Sequence, residues 1–354
     1  MSRLLITGGA GFIGSHTCVT LLEAGHDLMI FDDFSNSSPE VIARIKKISG
    51  IQESEVAARL KVIQGDINDQ DLLDQTFKSA ANAERPIEAV IHFAGLKAVG
   101  ESVAEPLRYW NVNLGGSNTL LSVMDANHCR IFVFSSTSTV YGEPDHFPIE
   151  ETTPTTPVNP YAQSKLAVEQ MVAALGQSGD WRTASLRYFN PVGAHPSGQI
   201  GEDPLGIPNN LFPYITQIAA GRRAQLKVFG NDYPTVDGTG IRDYLHVMDL
   251  AEAHASTFDY LLRQTDSTQL TLNLGTGRGL SVLEVIHGFE NVTGINIPYE
   301  IVARRPGDVP RSEASPLLAK KILNWTAKRS LEDMCRDGWA WQSANPHGYQ
   351  QDNP

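Results

Sequence analysis

A glycine-rich turn near residue 10 constrains the fold more than any other stretch. An apolar run predicts a strand over residues 3–7, and the segment TGGAGFIGS begins at its end. Gly9, Gly11 and Gly14, in the spacing Gly-x-Gly-x-x-Gly, let the backbone turn tightly into a helix that runs to Gly25. Such a turn brings backbone N–H groups at a helix N-terminus to a place where a pyrophosphate can bind. The stretch therefore predicts a dinucleotide-binding strand–turn–helix rather than an ordinary connection.

The next predicted strand, residues 27–32, indicates which dinucleotide would bind. It ends in Asp32, and an acid at this position can bind the hydroxyls of the adenosine ribose. Asp33 follows it, where an enzyme that uses NADP would place an arginine, so a 2′-phosphate would be repelled. We therefore expect NAD rather than NADP.

Short apolar runs alternate with helical patterns through the first half of the chain. This alternation predicts an α/β fold of the Rossmann type, with a doubly wound parallel sheet. After residue 190 proline and glycine become frequent, and we expect a smaller mixed α/β C-terminal lobe there. We predict a cofactor domain over 1–189, with a return segment near 240–275, and a substrate lobe over 190–354. The predicted strands are 3–7, 27–32, 60–66, 88–95, 131–136 and 183–190, and the later helices lie near 249–263, 281–290 and 328–339.

Composition excludes several classes of partner and site. The formal net charge of −12 disfavours nucleic acid. Cys18, Cys129 and Cys335 are far apart and form no Cys-x-x-Cys, so neither a disulfide framework nor a bound metal is expected. No apolar run is long enough to span a membrane, and the N-terminal run is too short for a signal peptide. We expect a cytoplasmic protein.

Two polar segments are the candidates for chemistry. Hydroxyl side chains cluster over residues 135–139 after the fifth predicted strand, where most of them could simply form a polar turn. Asn159 and Pro160 predict the start of a helix, which places Tyr161 and Lys165 four residues apart on one face. The spacing alone leaves open whether this pair is a catalytic base with its tuning charge or an exposed polar face.

With the glycine turn, the hydroxyl-rich loop and Tyr-x-x-x-Lys, the chain resembles the extended short-chain dehydrogenase/reductase family. The resemblance implies that Tyr161 is the acid/base, that Lys165 lowers its pKa and holds the nicotinamide ribose, and that Thr137 is the catalytic hydroxyl. A free phenol titrates near 10, so ionisation at neutral pH requires a shift of about 3 units, or about 4 kcal/mol. The ammonium and the cationic nicotinamide would together supply it.

Longer stretches resemble the UDP-glucose 4-epimerase family over nearly the whole chain. They include HFAGLKAVGES (92–102), LRYFNPVGAHPSG (186–198), GEDPLGIPNNL (201–211), FGNDYPTVDGTGIRDYLHVMDLA (229–251) and RRPGD (304–308). The resemblance implies reversible inversion at C4 of UDP-glucose and UDP-galactose with bound NAD. It also implies a homodimer, with the helices near 101–126 and 160–175 at its interface.

The site residues carried over by this resemblance form two sets. The cofactor set comprises Gly8, Gly11, Phe12, Ile13, Gly14, Asp32, Asn36, Ser37, Asp66, Ile67, Phe93, Ala94, Gly95, Lys97, Asn113, Ser135, Tyr161, Lys165, Tyr188 and Phe189. The UDP-hexose set comprises Thr137, Asn190, Asn210, Leu211, Phe229, Arg242, Arg305, Asp308 and Ser312. In the second set the arginines would neutralise the diphosphate, Phe229 would pack by the uracil and Asp308 would bind a ribose hydroxyl.

Several positions allow a simpler interpretation. Arg242 could pair with the adjacent Asp243, and Phe229 could belong to the core. GTGRG (275–279) could be taken for a second phosphate loop, but Ser281-x-x-Glu284 predicts a capping box and explains the turn.

Ser312 stands where relatives restricted to plain hexoses carry a bulky tyrosine. A small residue there implies room beside C2 of the sugar, so N-acetylated UDP-hexoses would also be accepted.

Three other functions compete with C4 inversion. A 4,6-dehydratase would need Asp-Glu after Thr137, where Ser138 and Thr139 stand. A net reductase would usually favour NADPH, against the two aspartates at 32 and 33. A non-catalytic NAD-binding regulator would have no need of Tyr161 and Lys165 together.

Overall fold

The computed structural model describes residues 1–206, 208, 210–305 and 308–349. In this part of the chain the strands are β1 (Arg3–Thr7), β2 (Asp27–Asp32), β3 (Leu60–Gln64), β4 (Ala89–His92), β5 (Ile131–Thr137), β6 (Arg182–Tyr188), β7 (Asn190–Val192), β8 (Leu226–Phe229), β9 (Ile241–His246), β10 (Thr268–Leu274), β11 (Gly279–Ser281), β12 (Tyr299–Val302) and β13 (Arg311–Ser312). The α-helices are α1 (Phe12–Glu23), α2 (Glu40–Ile48), α3 (Glu53–Arg59), α4 (Gln70–Asn82), α5 (Val99–Ala104), α6 (Pro106–Tyr109), α7 (Gly116–Ala126), α8 (Pro160–Ser178), α9 (Leu211–Ala219), α10 (Val247–Leu262), α11 (Val282–Thr293), α12 (Leu317–Leu323) and α13 (Leu331–Ala344). A π-helical segment, Trp110–Gly115, precedes α7, and a 3₁₀ turn, Ser138–Tyr141, follows β5.

The central sheet is parallel throughout, in the order β3-β2-β1-β4-β5-β6-β10. Strands β2 and β5 are buried at every residue, as expected for a sheet covered on both faces. The direction of strand addition reverses between β1 and β4, which opens a crevice at the carboxyl ends of these strands. The predicted doubly wound fold is confirmed.

Two apolar cores flank this sheet. On one face α1 and α10 pack against it, with Cys18, Val19 and Phe258 fully buried. On the other face α4, α7 and α8 cover it, and Val168 of α8 is fully buried there. The burial of these faces holds α1 and α8, the two helices that carry the candidate residues, in fixed positions beside the strand ends.

The chain returns to the central sheet after leaving it. Strand β10 pairs in parallel with β6 and forms one edge of the sheet, and α10 precedes it. A second sheet is centred on β9, which pairs in parallel with β7 and β13 and antiparallel with β11. Strands β8 and β12 form a separate parallel pair, and α9, α11 and α13 surround a third core. The assignment of cofactor and substrate to separate lobes stays a prediction.

Three predicted strands end earlier in the structure. The runs 60–66, 88–95 and 183–190 stop at Gln64, His92 and Tyr188. Phe93 and Phe189 extend the apolar runs past two of these strand ends, because the loops that hold them are themselves packed. The candidate residues Asp66, Phe93–Gly95 and Phe189 therefore lie in loops beyond the carboxyl ends of the strands.

All three cysteines are buried and unpaired with one another. Among the described residues, no helix is long and apolar enough to cross a membrane.

Candidate functional site

The glycine turn leaves no room for side chains. Gly8 has φ +67°, and a Cβ there would lie 2.6 Å from the Ala94 nitrogen. A Cβ on Gly14 would lie 2.3 Å from the Gly8 carbonyl oxygen. Helix α1 begins at Phe12 with Gly11 as its N-cap, with no side-chain cap and no acid in its first turn. Its first N–H groups therefore face the crevice without a competing carboxylate, which suits an anion.

Asp32 is held between the glycine turn and the loop that follows β2. Its Oδ2 accepts a hydrogen bond from the Ala10 backbone at 2.9 Å. Its Oδ1 accepts bonds from the Phe34 backbone at 3.0 Å and the Ser37 hydroxyl at 2.9 Å. Burial raises the pKa of Asp32 and these hydrogen bonds oppose the rise. The carboxylate is thus fixed where the sequence predicts a ribose contact.

The other predicted residues beyond β2 and β3 differ in exposure. Asn36 is exposed, and Asp66 is exposed with its Oδ1 accepting a bond from the Asn68 backbone at 2.8 Å. Ile67 is buried, and a Cβ on Gly116 would lie 2.4 Å from its Cγ2. Ile67 thus packs against the start of α7.

The loop after β4 lies beside α8. Phe93 contacts the ring of His254, with centroids 4.8 Å apart. A Cβ on Gly95 would lie 3.0 Å from Asn113 Oδ1 and 3.6 Å from Lys165 Nζ. Gly95 therefore brings backbone close to the candidate lysine.

Asn113 and Lys97 have partners within the protein. The Asn113 amide accepts from the Leu96 backbone at 2.8 Å and donates to the Ser164 hydroxyl at 3.0 Å. Lys97 pairs with Glu202 at 3.1 Å. Asn113 thus joins the β4 loop to α8, while Lys97 reaches the segment before α9.

Helix α8 begins where the sequence predicts. The Asn159 side chain accepts a hydrogen bond from the Ala162 backbone at 2.9 Å, and Pro160 is the first helical residue. This start places Tyr161 in the first turn, where the Thr137 hydroxyl hydrogen bonds to the phenol oxygen. Thr137 Oγ1 also lies 2.9 Å from Thr139 Oγ1, so two hydroxyls adjoin the phenol.

Lys165 lies one turn beyond Tyr161 and is buried. Its ammonium donates to the Ser135 carbonyl at 2.9 Å and lies 4.9 Å from the centre of the Phe134 ring. Burial lowers the pKa of Lys165 to about 8, and the negative charge of Glu169 opposes this. Lys165 is therefore charged at neutral pH and neutralises within the pH range of an enzyme assay.

Burial raises the pKa of Tyr161, and the bond from Thr137 opposes the rise. Desolvation of the phenolate is the largest effect on this pKa. The lowering expected from Lys165 together with the cationic nicotinamide stays a prediction.

The end of β6 is buried beside this pair. The Tyr188 hydroxyl lies 2.6 Å from His254 Nε2, and burial raises the pKa of Tyr188. Phe189 packs against Val140 and Tyr141. Both predicted residues therefore support the crevice from inside the protein.

The predicted diphosphate residues meet although they are far apart in sequence. Arg305 Nε lies 3.4 Å from Asp308 Oδ2, and Arg242 Nη2 lies 3.9 Å from Asp308 Oδ1. The Arg305 guanidinium lies 4.5 Å from the centre of the Phe229 ring, so Phe229 stacks on a cation instead of lying in the core. The trio carries two positive charges and one negative charge, which suits an anionic nucleotide beside an aromatic face.

The alternative pairing of Arg242 with Asp243 is wrong. Asp243 accepts bonds from the backbone of Thr276 at 2.8 Å and of Gly277 at 2.9 Å. Burial raises its pKa to about 6. Asp243 thus holds the GTGRG turn and leaves Arg242 to the pocket.

The predicted capping box closes this turn. The Glu284 backbone donates to Ser281 Oγ at 3.0 Å, and the Ser281 backbone donates to Glu284 Oε2 at 2.7 Å. The interpretation of GTGRG as a turn before a helix is confirmed.

The remaining predicted substrate residues lie on β13, on β7 and at the start of α9. Ser312 on β13 pairs in register with Arg242, and Asn190 on β7 pairs with Tyr244. Asn210 is exposed at the start of α9, 3.4 Å from Glu202, and Leu211 packs on the third core.

The structure adds residues that the sequence analysis missed. Tyr233 is 5 % exposed, and its hydroxyl has no hydrogen-bond partner among the described residues. Its charged neighbours include Asp308 and Arg242. Glu169, one turn beyond Lys165, pairs with Arg187 at 2.6 Å. Continuing the four-residue spacing along α8 would have pointed to Glu169, whereas no local signal distinguishes Tyr233.

The site brings the hydroxyls of Tyr161 and Thr137 and the ammonium of Lys165 to the carboxyl ends of the strands of the central sheet. The glycine turn lies at the same end of this sheet. The hydroxyls can take up and release a proton from an alcohol, and the ammonium can stabilise negative charge. Arginines at a separate pocket can hold a phosphorylated part of the same substrate.

Comparisons with known proteins show what the chain is similar to. The family model for GDP-mannose 4,6 dehydratase matches residues 5–338. The UDP-glucose 4-epimerase of Bacillus subtilis is 52 % identical over 98 % of this chain and 98 % of its own. The crystal structure of UDP-glucose 4-epimerase from Stenotrophomonas maltophila, with bound NAD and formylated UDP-arabinopyranose, matches with TM-score 0.92 and 47 % identity over 98 % and 99 % of the chains. That from Bifidobacterium longum, in complex with NAD+ and UDP, matches with TM-score 0.90 and 45 % identity over 98 % and 100 %.

Proposed function

The chain belongs to the UDP-glucose 4-epimerase family of extended short-chain dehydrogenases/reductases, and on this premise we propose how its residues perform the reaction. It is an NAD-dependent isomerase that interconverts UDP-glucose and UDP-galactose by inversion at C4. The observation that carries the mechanism is the start of α8, which places Tyr161 on its first turn and the buried ammonium of Lys165 one turn further, bonded to the Ser135 carbonyl.

The crevice fits NAD by its own geometry. Gly8 and Gly14 lie where any Cβ would meet backbone, so only glycine permits this tight turn, whose backbone N–H groups would bind the pyrophosphate. Asp32 is held with its carboxylate beside that turn and would bind the adenosine ribose. Bound NAD would supply a hydride acceptor and donor at C4 of the sugar, with no net redox change over the reaction.

The protein's part in the chemistry is to move a proton at the C4 oxygen. Tyr161 takes the proton of the C4 hydroxyl and later restores it, and Thr137 hydrogen bonds to the phenol oxygen. The phenolate forms in a buried site where positive charge is worth more than in water. Lys165, held by the Ser135 carbonyl, supplies the protein's share of that charge.

The UDP part of the substrate would be held by the pocket around Arg242. This arginine and Arg305 would bind the diphosphate, and Asp308 between them a ribose hydroxyl. The unpartnered hydroxyl of Tyr233 would complete its hydrogen bonding with the same ligand. Binding energy placed on UDP leaves the sugar free to present either face of C4.

The protein would also accept N-acetylated UDP-hexoses. Ser312 is small and lies on β13 beside Arg242, on the predicted sugar side of the pocket. We expect Ser312→Tyr to abolish turnover of UDP-N-acetylgalactosamine and to spare UDP-galactose. Steady-state rates with both substrates measure this, with Ser312→Ala as the matched control. Equal rates of the tyrosine variant and the wild type on the N-acetylated sugar would contradict the proposal.

A homodimer through α5–α8 is part of the proposal. Val103 and Leu107 are 64 % and 82 % exposed on neighbouring turns of α5 and α6. Apolar side chains so exposed and so close suit a contact with a second copy. A cytoplasmic location and the absence of nucleic-acid partners stay predictions from the sequence.

The experiment that tests the reaction is an assay of UDP-galactose conversion by purified protein without added cofactor. We expect UDP-glucose to form until the two sugars reach equilibrium. Conversion only with stoichiometric NADPH would indicate a reductase. A 4-keto-6-deoxy sugar as product would indicate a 4,6-dehydratase, the activity that the description of the matching family model names. Loss of activity on chromatography that strips nucleotide, with recovery on added NAD, would identify the cofactor.

A further inference from the structure

Helix α8 contacts the end of β5 on three successive turns. Tyr161 meets Thr137, and Lys165 meets the Ser135 carbonyl. The third turn carries Glu169, a residue to which neither the sequence analysis nor the proposed reaction gives a role.

Glu169 binds the strand residue that lies between the other two. Its Oε1 accepts a hydrogen bond from the Ser136 hydroxyl. The carboxylate also receives a two-point bond from Arg187 on β6, with Nε at 3.0 Å and Nη2 at 2.6 Å. The side chains of Glu169 and Arg187 are only 6 % and 8 % exposed. This fork orients the carboxylate rigidly, because two parallel bonds leave it no rotation.

The Nη1 atom of Arg187, which does not bond to Glu169, also has a hydrogen-bond acceptor. Its Nη1 donates to the Tyr141 hydroxyl at 2.8 Å, and that hydroxyl donates to Asn273 Oδ1 on β10 at 2.7 Å. The clamp on Glu169 thus runs across α8, β5, β6 and β10. A network whose members are all bonded is rigid.

Lys165 has no carboxylate within ion-pair distance among the described residues. The groups that face its ammonium are the Ser135 carbonyl and Phe134 ring from β5, His92 from β4, and Glu169 from its own helix. Arg187 and Tyr188 lie on β6, the strand next to β5. Burial lowers the pKa of His92 to about 3, with the charge of Lys165 adding to the effect, so His92 is neutral.

We propose that Glu169 is a positioning residue of the reaction, and that its clamped carboxylate keeps Lys165 charged while it fixes α8 against the end of β5. The proposal rests on the proposed function, in which a charged Lys165 assists ionisation of Tyr161. The carboxylate opposes the fall in the pKa of Lys165 that burial causes. Without that charge the ammonium would lose its proton at a lower pH.

Two measurements on Glu169→Gln test the electrostatic part. The amide keeps an acceptor for Ser136 but carries no charge. We expect the alkaline limb of the kcat–pH profile to move down by about one pH unit, so that kcat falls up to about tenfold at pH 8 and little at pH 6. NMR of protein labelled with ¹³Cε-lysine, with Lys165→Met to assign the signal, should show Lys165 titrating at lower pH.

A second variant separates charge from packing. Glu169→Gln leaves Arg187 buried without its partner and reduces stability at every pH. The double variant Glu169→Gln/Arg187→Met removes both charges, so its melting temperature should return towards that of the wild type. The alkaline limb of its kcat–pH profile should stay at the lower pH of the single variant. Asp249→Asn is the matched control, because Asp249 of α10 is a fully buried carboxylate that pairs with Arg329 at 2.5 Å and lies on a different helix from Lys165. It should lower the melting temperature and leave the pH profile in place.

The outcomes discriminate clearly. A wild-type alkaline limb in the double variant, or a Lys165 signal that titrates as in the wild type, would overturn the proposal. The NMR titration needs no turnover, so it tests the role of Glu169 even if the epimerase assay of the wild type fails.

Discussion

At the scale of single residues, burial opposes the charged forms of the proposed catalytic pair, Tyr161 and Lys165. Burial raises the pKa of Tyr161 and lowers that of Lys165 to about 8, so each group resists its charged form. The bond from Thr137 and the charge of Glu169 act in the opposite sense. The phenol of Tyr161, the proposed base, is thus protonated at neutral pH, and its ionisation in the reaction requires added positive charge close to the phenol.

The first prediction concerns the phenol itself. Tyr161→Phe removes the proton acceptor and keeps the ring, so kcat should fall by about 10²- to 10⁴-fold. The melting temperature and the amount of nucleotide that copurifies should stay near those of the wild type. Epimerase assays, thermal unfolding and absorbance of the released nucleotide measure these quantities. Retained turnover would remove Tyr161 from the mechanism.

These residues show how far local reasoning reaches. Asn159, Pro160 and the four-residue spacing were enough to place Tyr161 and Lys165 on the first two turns of α8, because capping and helical periodicity act locally. The pKa values depend on burial beneath β5 and on Glu169, which are not local. The rise that burial causes in the pKa of Tyr161 therefore could not be predicted from the spacing.

At the scale of elements, α11 shows a motif that sequence alone identifies. Ser281 and Glu284 bond reciprocally to each other's backbone and account for the turn before the helix. The GTGRG segment is closed by Asp243, whose carboxylate occupies the N–H groups that a phosphate loop would need.

The second prediction follows from this cap. Ser281→Ala should lower the free energy of unfolding by about 1 kcal/mol, the usual value for loss of an N-cap. KM for UDP-galactose and kcat should stay within twofold, since the turn binds no phosphate. Urea unfolding and steady-state kinetics measure the two effects. A large rise in KM with unchanged stability would reopen the case for a second phosphate loop.

At the scale of the whole molecule, buried histidines link stability to pH. Burial lowers the pKa of His16 and of His92 to about 3 and that of His254 to about 4. In the unfolded chain each titrates near 6.5. The unfolded state therefore binds more protons between these values, so the folded state has its full stability above pH 6.5 and loses it as the pH falls.

The third prediction concerns how much the free energy of unfolding decreases as the pH falls. Each of the three histidines contributes a slope of up to about 1.4 kcal/mol per pH unit, so between pH 6 and 5 the protein should lose several kcal/mol. Urea unfolding at a series of pH values measures the slope. His16→Gln should reduce the slope, whereas the same change at the exposed His146 should not. A flat profile from pH 7 to 5 would contradict it.

The fourth prediction concerns assembly. Val103→Glu with Leu107→Glu places charges in the proposed contact between copies, and a like-charge repulsion with a desolvation cost should yield monomers. Light scattering on the variant and the wild type measures the mass. The matched control is Val236→Glu, because Val236 is fully exposed on a loop far along the chain from α5–α8. A monomeric wild type would itself contradict the proposed dimer.

The sequence by itself determined the parts whose physics is local. The strand–turn–helix with Gly8 and Gly14, the acid at Asp32, the alternation that builds a parallel sheet and the start of α8 all follow from periodicity, glycine geometry and capping. Only the tertiary structure decided which distant residues meet: Arg242 with Arg305 and Asp308, Glu169 with Arg187, and the edge strand β10 with β6. Such contacts depend on how the sheets pack, since the separation of two residues in space is set by the fold and leaves no period in the sequence.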